Sequence, residues 1–371
     1  MMNHYYKLQV LSLLWILTGC TNTQSNYQAF PLSDLQTDFP QTDTLNFEKV
    51  NTYNIFSHNA IEVSDSTLWT LNMGGDEIGY CYDLNTGKEI STIASFGRAK
   101  NELDNDYSSI NIGRDSIFFF YEGEKMIKSF SMKDIKNNVP LGERRPTITH
   151  IPDSLNATLI NKLPNGAFLM TLSPILRHGK QDFNPYSLAL VHNNEIRTYA
   201  TINFNSYNLV MDKENPLSAN EFIKANYAYG EISTKNNNMA VLSVNNQVIL
   251  YTLNLLNGKV MNEKRYTEMK CETNGYTSNN DLELSITNIN SNDKYIFCII
   301  KGYMNKKDKD NKETEKRKQM LLIFDWQLNP IKKYELPYES ICFFPIDNTT
   351  YIYQNVSNSE GATLYKAKIN L

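Results

Sequence analysis

The chain has 371 residues, of which 41% are hydrophobic and 20% are charged, a composition typical of a globular protein with an apolar core. Its formal net charge is −4, so it lacks the overall basic character by which proteins hold nucleic acid. Aromatic residues make up 12% of the chain, and they favour β-structure.

The first 20 residues have the pattern of a bacterial export signal. Lys7 precedes an apolar run, Leu8 to Leu17, which is too short to be a stable membrane span. The run ends in the sequence LTGC at Cys20, similar to a lipobox, in which the cysteine is diacylated on sulfur and becomes the new N-terminus. A plain secretory signal with a chance cysteine is the alternative. We predict a signal peptide at residues 1–19 and lipidation at Cys20, which would anchor the protein stably because more than one acyl chain is buried.

The residues after Cys20 are polar up to about position 28 and have the composition of a tether. We therefore assign residues 20–44 to the lipidated N-terminus and tether, and residues 45–371 to one folded domain.

From Leu45 onward the chain repeats one hairpin pattern, and residues 321–336 are its clearest copy. An apolar run is followed by a turn in which Asn329 tolerates a left-handed backbone and Pro330 fixes φ. An alternating run comes next, as in a strand with one wet face. By the same pattern the predicted strands are residues 66–71, 78–83, 89–93, 116–121, 126–132, 166–172, 186–191, 195–202, 239–244, 247–253, 259–266, 294–301, 320–324, 349–356 and 362–370.

Equivalent points of these hairpins recur about every 50 to 60 residues, a period typical of propeller blades. The sequence thus predicts an all-β, six-bladed β-propeller. The last unit lacks a third strand, and a propeller that does not close leaves sheet edges unpaired. We predict that an N-terminal strand, Leu45 to Tyr53, pairs with the last blade near Ala362 to Asn370 and closes the ring.

Two stretches depart from the strand pattern. Residues Ser218 to Tyr227 have the cap and spacing of one short helix. Residues Lys306 to Lys318 carry charges of both signs, which favours a solvated loop between two strands over a nucleic-acid-binding arm.

Motifs for catalysis and metal binding are absent from the sequence. The five histidines have no partner at metal-ligand spacing, and there is no calcium loop and no G-x-S-x-G. We assign no catalytic residue, no metal and no cofactor. Propeller glycosidases bring carboxylates together at the axis, and the loop acids that could do so, or else are simply solvated, are Asp76, Glu77, Glu102, Asp104 and Asp106.

Four cysteines follow Cys20, with long gaps between them. This spacing favours scattered buried thiols, although export would permit one disulfide. They are Cys81, Cys271, Cys298 and Cys342.

The loop after the first hairpin holds the best candidate binding residues, Arg98, Lys100 and Glu102. One interpretation is a loop near the propeller axis that faces a ligand or partner. The other is an inter-blade loop in which Glu102 accepts backbone N–H bonds or pairs with Arg98. Aromatic loops at residues 205–208 and 227–230 could also stack on sugars or anchor a peptide, or could pack in the ordinary way.

The lipobox, the hairpins and two local motifs together resemble the TolB-like six-bladed β-propeller lipoproteins of Bacteroides-type bacteria. Relatives carry G-x-G-P-x-E-[FL] after the first hairpin; this chain matches at Gly97, Arg98, Glu102 and Leu103 and has Ala99 in place of the second glycine. The stretch FDWQLNPI at 324–331 is similar to F-D-[WL]-x-G-x-x-[VI] without its glycine. The resemblance spans about residues 45–371 and implies fold and envelope location more than activity.

The function expected from these features is that of a membrane-anchored envelope lipoprotein, a non-catalytic binding or scaffold propeller with a protein or glycan partner at its loop face. The alternative is a propeller hydrolase, cleaving a glycan or an ester with acids in the central channel, so enzyme activity stays open. No acidic cluster follows Cys20, as it does in some surface-displayed lipoproteins, so we favour the periplasmic face of the outer membrane. The partners expected are the membrane, through the anchor, and no nucleic acid.

Overall fold

The structure is a computed structural model that describes residues 32–53, 60–71, 77–97, 99, 101–104, 109–152, 155, 157–172, 186–192, 195–202, 229–244, 248–266, 282–307, 313–337, 340–346, 349–358 and 361–371. The strands within these residues form six sheets. The sheets are arranged as blades in a ring, which confirms the predicted six-bladed, all-β propeller.

Blades 1 to 3 follow one another along the chain, and each is a four-stranded antiparallel meander. Their strands are β3 (Ala60–Ser64), β4 (Thr67–Leu71), β5 (Tyr80–Asp83) and β6 (Glu89–Thr92); β7 (Ser109–Ile112), β8 (Ser116–Tyr121), β9 (Met126–Ser131) and β10 (Thr147–His150); and β11 (Ala157–Lys162), β12 (Phe168–Leu172), β13 (Tyr186–His192) and β14 (Glu195–Ile202).

Blades 4 to 6 complete the ring, and two of them take a strand from the N-terminal segment, β1 (Asp43–Thr44) in blade 5 and β2 (Glu48–Tyr53) in blade 6. The other strands are β15 (Tyr229–Asn236), β16 (Met239–Val244), β17 (Ile249–Asn254) and β18 (Lys259–Arg265); β19 (Leu282–Ser291), β20 (Tyr295–Lys307), β21 (Glu313–Asp325) and β22 (Pro330–Leu336); and β23 (Ile341–Phe343), β24 (Tyr351–Asn358) and β25 (Gly361–Lys368).

Three short helical segments accompany the strands: α1 (Leu32–Asp38), α2 (Met132–Lys136) and a 3-10 turn at Leu141–Glu143. The strand predicted for residues 126–132 ends one residue early, because the Ser131 hydroxyl accepts a hydrogen bond from the Asp134 N–H and caps α2. The predicted helix at residues 218–227 lies outside the described residues.

The middle strands of the blades are buried on both faces. Strands β4, β8 and β12 consist of buried residues throughout, because each blade is covered by a neighbour on either side. Apolar clusters fill the spaces between blades 1 and 2, 2 and 3, 4 and 5, 5 and 6, and 6 and 1. This double burial explains the continuous apolar runs in the sequence.

Ring closure occurs where it was predicted. Strand β2 pairs antiparallel with β25, from Glu48 opposite Lys366 to Tyr53 opposite Ala362. The Tyr53 side chain then crosses to blade 1, where its hydroxyl donates to the Leu84 carbonyl at 2.7 Å. The outer strand of blade 6 is therefore N-terminal and is locked to the next blade.

The folded region begins earlier than residue 45, where the sequence analysis placed its boundary. Leu35 and Phe39 are each 3% exposed in the cluster between blades 4 and 5, and Phe39 contacts the Phe324 ring edge-on at 5.4 Å between centroids. The Asp38 carboxylate accepts from the Tyr266 hydroxyl at 2.7 Å. Residues 32–44 are therefore packed on the blades. The two apolar side chains, which would be exposed to water in a tether, fill a cleft between blades 4 and 5.

Two loop predictions need correction. The charged stretch 306–318 is not simply a loop, because β20 and β21 continue through most of it and pair as far as Lys307 opposite Glu313. In the hairpin at 325–330 the left-handed residue is Leu328, with φ of 63°, and not Asn329. The Asp325 carboxylate instead fixes this turn by accepting the N–H groups of Gln327 and Asn329 at 2.9 and 2.8 Å.

Three of the cysteines can be placed. Cys81, Cys298 and Cys342 are buried free thiols, in agreement with the favoured interpretation, while Cys271 lies outside the described residues.

The packing of Tyr53 generates a stability prediction. Tyr53→Ala should lower the free energy of unfolding by about 3–5 kcal/mol, because it removes a buried aromatic ring from the closing strand. Tyr53→Phe should cost only about 1 kcal/mol, the typical value of one hydrogen bond. Chemical denaturation would measure both.

Met261→Ala on the outer strand of blade 4 is the control, since Met261 is 50% exposed. Equal stability of Tyr53→Ala and Met261→Ala would contradict the closure described above.

Candidate functional site: the central channel

Side-chain amides on the innermost strands join neighbouring blades. The Asn111 Nδ2 atom donates to the Ile160 carbonyl of blade 3 at 3.1 Å. Asn161 Nδ2 donates in turn to the Ile232 carbonyl of blade 4 at 3.0 Å, and Asn290 makes the same kind of bond from blade 5 to blade 6. The wall of the channel is therefore held together by a recurring polar position.

Glu62 occupies this position in blade 1. On the antiparallel ladders Glu62 lies opposite Trp69, as Asn111 lies opposite Phe118. Residues opposite each other on such a pair project from the same face, and Trp69 and Phe118 both pack toward the following blade. Blade 1 thus has a carboxyl group where other blades have an amide.

Glu62 and a second acid, Glu231 on β15, have strongly perturbed titration. Burial, with a further contribution from the charge of Glu231, raises the pKa of Glu62 to about 8. Burial also raises the pKa of Glu231 to about 7. Because interacting acids release their protons in coupled steps, the pair keeps about one proton at neutral pH.

The backbone at Glu231 is irregular, which helps to aim this side chain. The ladder between β15 and β16 shifts register between Tyr229 and Ile232, and the Glu231 N–H donates to the Ser243 hydroxyl at 2.8 Å instead of to a carbonyl. A bulge of this kind re-aims a side chain within a strand.

Both acids line a central cavity of about 510 Å³, within the range of small-molecule sites. All six innermost strands contribute to its wall, so it is the channel of the propeller. The lining residues are Ile61, Glu62, Ile110, Asn111, Ile112, Ile160, Asn161, Glu231, Ile232, Thr287, Asn288, Lys301, Gln319, Ser340, Ile341, Cys342 and Phe343.

Blade 5 adds a polar wall to this cavity. Lys301 on β20 lies directly opposite Gln319 on β21. Gln319 is 2% exposed, and its Oε1 atom has no hydrogen-bond partner among the described residues. A buried acceptor without a donor costs about 1–3 kcal/mol, so a ligand that donates a hydrogen bond here would recover that energy.

The binding residues predicted from sequence are only partly placed. Glu102 is described, and its Oε2 atom accepts the Ala99 N–H at 2.8 Å. Its side chain also fills the space beside Gly97, where an added Cβ would lie 1.9 Å from the same oxygen. These contacts agree with the interpretation in which Glu102 accepts a backbone N–H bond within an inter-blade loop. Arg98 and Lys100 lie outside the described residues, so a ligand-binding role of this loop stays a prediction.

The other predicted site residues do not reach the channel or cannot be placed. Glu77 and Asp104 are described and, like Glu102, are not part of the cavity wall. Cys20, the remaining loop acids and the aromatic loop at 205–208 lie outside the described residues.

Sequence reasoning missed the innermost strands, and with them Glu62 and Glu231. The sequence pattern that could have revealed the inner strands is an isoleucine followed by a polar residue, just before the predicted hairpins of blades 1, 2 and 3. It occurs as Ile61-Glu62, Ile110-Asn111 and Ile160-Asn161. These strands mix polar and apolar residues, so they lack the apolar runs by which the other strands were found.

Two searches of the described residues were negative. No group of three or more His, Cys, Asp or Glu side chains is arranged to hold a metal ion there. Within the same residues no helix is both long and apolar enough to cross a membrane.

The six blades and the central channel define the class of the protein, a six-bladed β-propeller. The chain belongs to the TolB-like six-blade propeller family, whose sequence profile matches residues 38–349. No curated protein matches the chain.

Solved structures with low sequence identity share the fold. A member of the DUF4221 family from Bacteroides vulgatus superimposes with a TM-score of 0.53 at 10% identity, covering 89% of this chain and 97% of that one. A protein from Bacteroides fragilis gives a TM-score of 0.46 at 10% identity, with 88% and 95% covered. At this identity the first likeness supports the fold alone.

The raised pKa of Glu62 generates a prediction about pH. A free glutamate ionises near pH 4.5 and Glu62 near pH 8, so the folded state binds more protons between these values and stability falls as pH rises through that window. Glu62→Gln should remove this loss. Its melting temperature should exceed that of the wild type by several degrees at pH 8.5 and by little at pH 4.5.

Glu335→Gln, a change of an exposed acid on the outer strand of blade 5, is the matched control and should show no such trend. A Glu62→Gln offset that is the same at both pH values would show that Glu62 ionises normally in the folded protein.

Proposed function

We propose that this protein is an exported, lipid-anchored propeller of the bacterial cell envelope, and that its central channel binds a small ligand without transforming it. The observation that carries the binding function is the cavity of about 510 Å³ into which all six blades contribute. Its wall contains a buried acceptor, Gln319 Oε1, to which no described residue donates a hydrogen bond.

The envelope location is supported by the N-terminal sequence. An apolar run precedes the motif LTGC, which ends at Cys20. We place the protein on the periplasmic face of the outer membrane, held by acyl chains on Cys20 and a short polar segment.

Cys20→Ser tests the anchor. The variant should move from the membrane to the soluble periplasmic fraction, because a signal peptide alone adds no lipid. Immunoblots of cell fractions would show this, and wild type labelled with an alkyne fatty acid provides the positive control. Continued membrane association of an unlabelled Cys20→Ser protein would rule the anchor out.

Filling the channel tests ligand binding. Ile112→Trp places a large ring in the cavity wall, so a small molecule that copurifies with the wild type should be lost. Native mass spectrometry of protein isolated from envelope extracts would detect the mass difference between the two forms.

Ile148→Trp, the same substitution at an exposed position on the outer strand of the same blade, is the control and should keep the adduct. Circular dichroism would confirm that both variants fold. Identical adducts in wild type and Ile112→Trp, or none in any form, would contradict binding in the channel.

Hydrolysis is a second candidate function, favoured by one observation. Glu62 and Glu231 lie in one cavity with raised pKa values, and a neutral acid beside an ionisable partner is the arrangement used in general acid–base catalysis. Turnover of glycoside or ester substrates by the wild type, lost in Glu231→Gln, would favour this function over binding.

A further inference from the structure

The channel has three features that together restrict the chemistry of its ligand. Its acids, Glu62 and Glu231, share a cavity and interact. Its buried Gln319 oxygen has no donor within the part of the chain that the structure describes. The remaining wall is mixed, with polar side chains and with isoleucines from five of the six blades.

We infer that the ligand of the channel is a small aliphatic amine, bound as its ammonium form by Glu62 and Glu231. This inference rests on the channel-binding function proposed above and specifies the class of molecule.

Hydrogen-bond complementarity supports an ammonium group. Glu62, Glu231 and Gln319 offer carboxylate and amide oxygens, and an ammonium has three donors and no acceptor. The amide nitrogens of Asn111 and Asn161 each donate one of their two N–H groups to a carbonyl of the next blade. The buried polar atom of this wall that has no hydrogen-bond partner among the described residues, Gln319 Oε1, is an acceptor and calls for a donor.

An organic cation fits better than a metal ion. Divalent cations take several oxygen ligands, and the described residues contain no group of three or more suitable side chains. The isoleucines offer apolar surface, which an alkyl chain covers and a hydrated metal ion does not.

Charge on the wall sets the position of the ammonium. The titratable groups that line the cavity are Glu62, Glu231, Lys301 and Cys342. Burial raises the pKa of Cys342 to about 11, so this thiol is neutral. Lys301 supplies positive charge on the blade 5 wall, opposite Gln319, so Glu62 and Glu231 are the groups that attract the ammonium and Gln319 is a weaker acceptor for it.

Binding of an ammonium is coupled to loss of a proton. The acids keep about one proton in the empty channel because burial and their mutual repulsion disfavour two negative charges. An ammonium between them stabilises both carboxylates, so the carboxyl proton leaves to the buffer while the ammonium keeps its three. One cation enters and one proton departs, and the charge of the site is unchanged.

Titration calorimetry with 3-methylbutylamine tests the inference on the full-length protein. An aliphatic ammonium titrates near pH 10, so it stays charged between pH 6 and pH 8. Below the pKa of the acid that loses its proton, the dissociation constant should fall about tenfold for each unit by which the pH is raised. Titrations in phosphate and Tris buffers, which differ in ionisation enthalpy, should show release of about one proton per amine.

Two acid variants make the test specific. Glu62→Gln and Glu231→Gln should each weaken amine binding at least tenfold and remove most of the pH dependence. Glu335→Gln, on the outer strand of blade 5, should behave like the wild type. Because two independent variants are used, misfolding of one does not decide the outcome.

Neutral and anionic probes separate failure of this inference from failure of channel binding. Equal binding of 3-methylbutanol, or amine binding that releases no proton and survives both acid variants, would overturn the ammonium inference and leave a channel that binds apolar molecules. Binding of 4-methylpentanoate alone would also overturn it. Absence of binding by all three probes overturns it as well, and the native mass spectra then decide whether the channel binds another class of ligand.

Discussion

The pairing of β2 with β25 is the constraint on which the rest of the structure depends. A ring of sheets has no stable end unless its first and last blades are joined, because unpaired strand edges invite other partners. Here the N-terminal strand completes blade 6, and Tyr53 on that strand bonds to blade 1. The chain thereby joins its two ends through a backbone ladder, a buried ring and a hydrogen bond that crosses to the next blade.

The segment before this strand also joins blades, at the outer edge of the ring. Helix α1 packs between blades 4 and 5, and β1 pairs with the outer strand of blade 5 in parallel. Residues 32–53 thus contact blades 4, 5 and 6 in turn and, through Tyr53, blade 1. Lys333, which is buried, donates to the Phe39 carbonyl at 2.8 Å and holds the turn between helix and strand. A propeller fixed in this way has its inner wall held as one unit, which a binding site built from six separate sheets requires.

The sequence predicted the middle strands and five of the six outer strands, but it missed β10 of blade 2 and all six inner strands, for a physical reason. Middle strands such as β8 are buried on both sides and read as apolar runs, whereas outer strands such as β18 carry mostly exposed and half-buried residues because they border solvent. Inner strands face a partly polar channel, so a stretch such as Ile110-Asn111-Ile112 has no continuous apolar run and has the composition of a loop. The predicted closing strand was found because the last hairpin lacked a partner, whereas the packing of Leu35 and Phe39 depends on a cleft that only the assembled ring creates. Glu62 and Glu231 come together from different blades, and no local pattern links them.

Burial of the Glu62 carboxyl lowers the stability of the fold, a cost that the blades with an amide at this position do not have. An amide at this position, as in Asn111, bonds to the neighbouring blade and never ionises, whereas a buried carboxyl must keep its proton or pay for desolvation. A second acid in the same cavity adds repulsion to that cost. Packing alone therefore favours an amide in blade 1. Groups held in an unfavourable state within a cavity are typical of functional sites, and the unsatisfied oxygen of Gln319 in the same wall has the same character. A ligand of the proposed kind, which donates hydrogen bonds to these oxygens, would offset both costs.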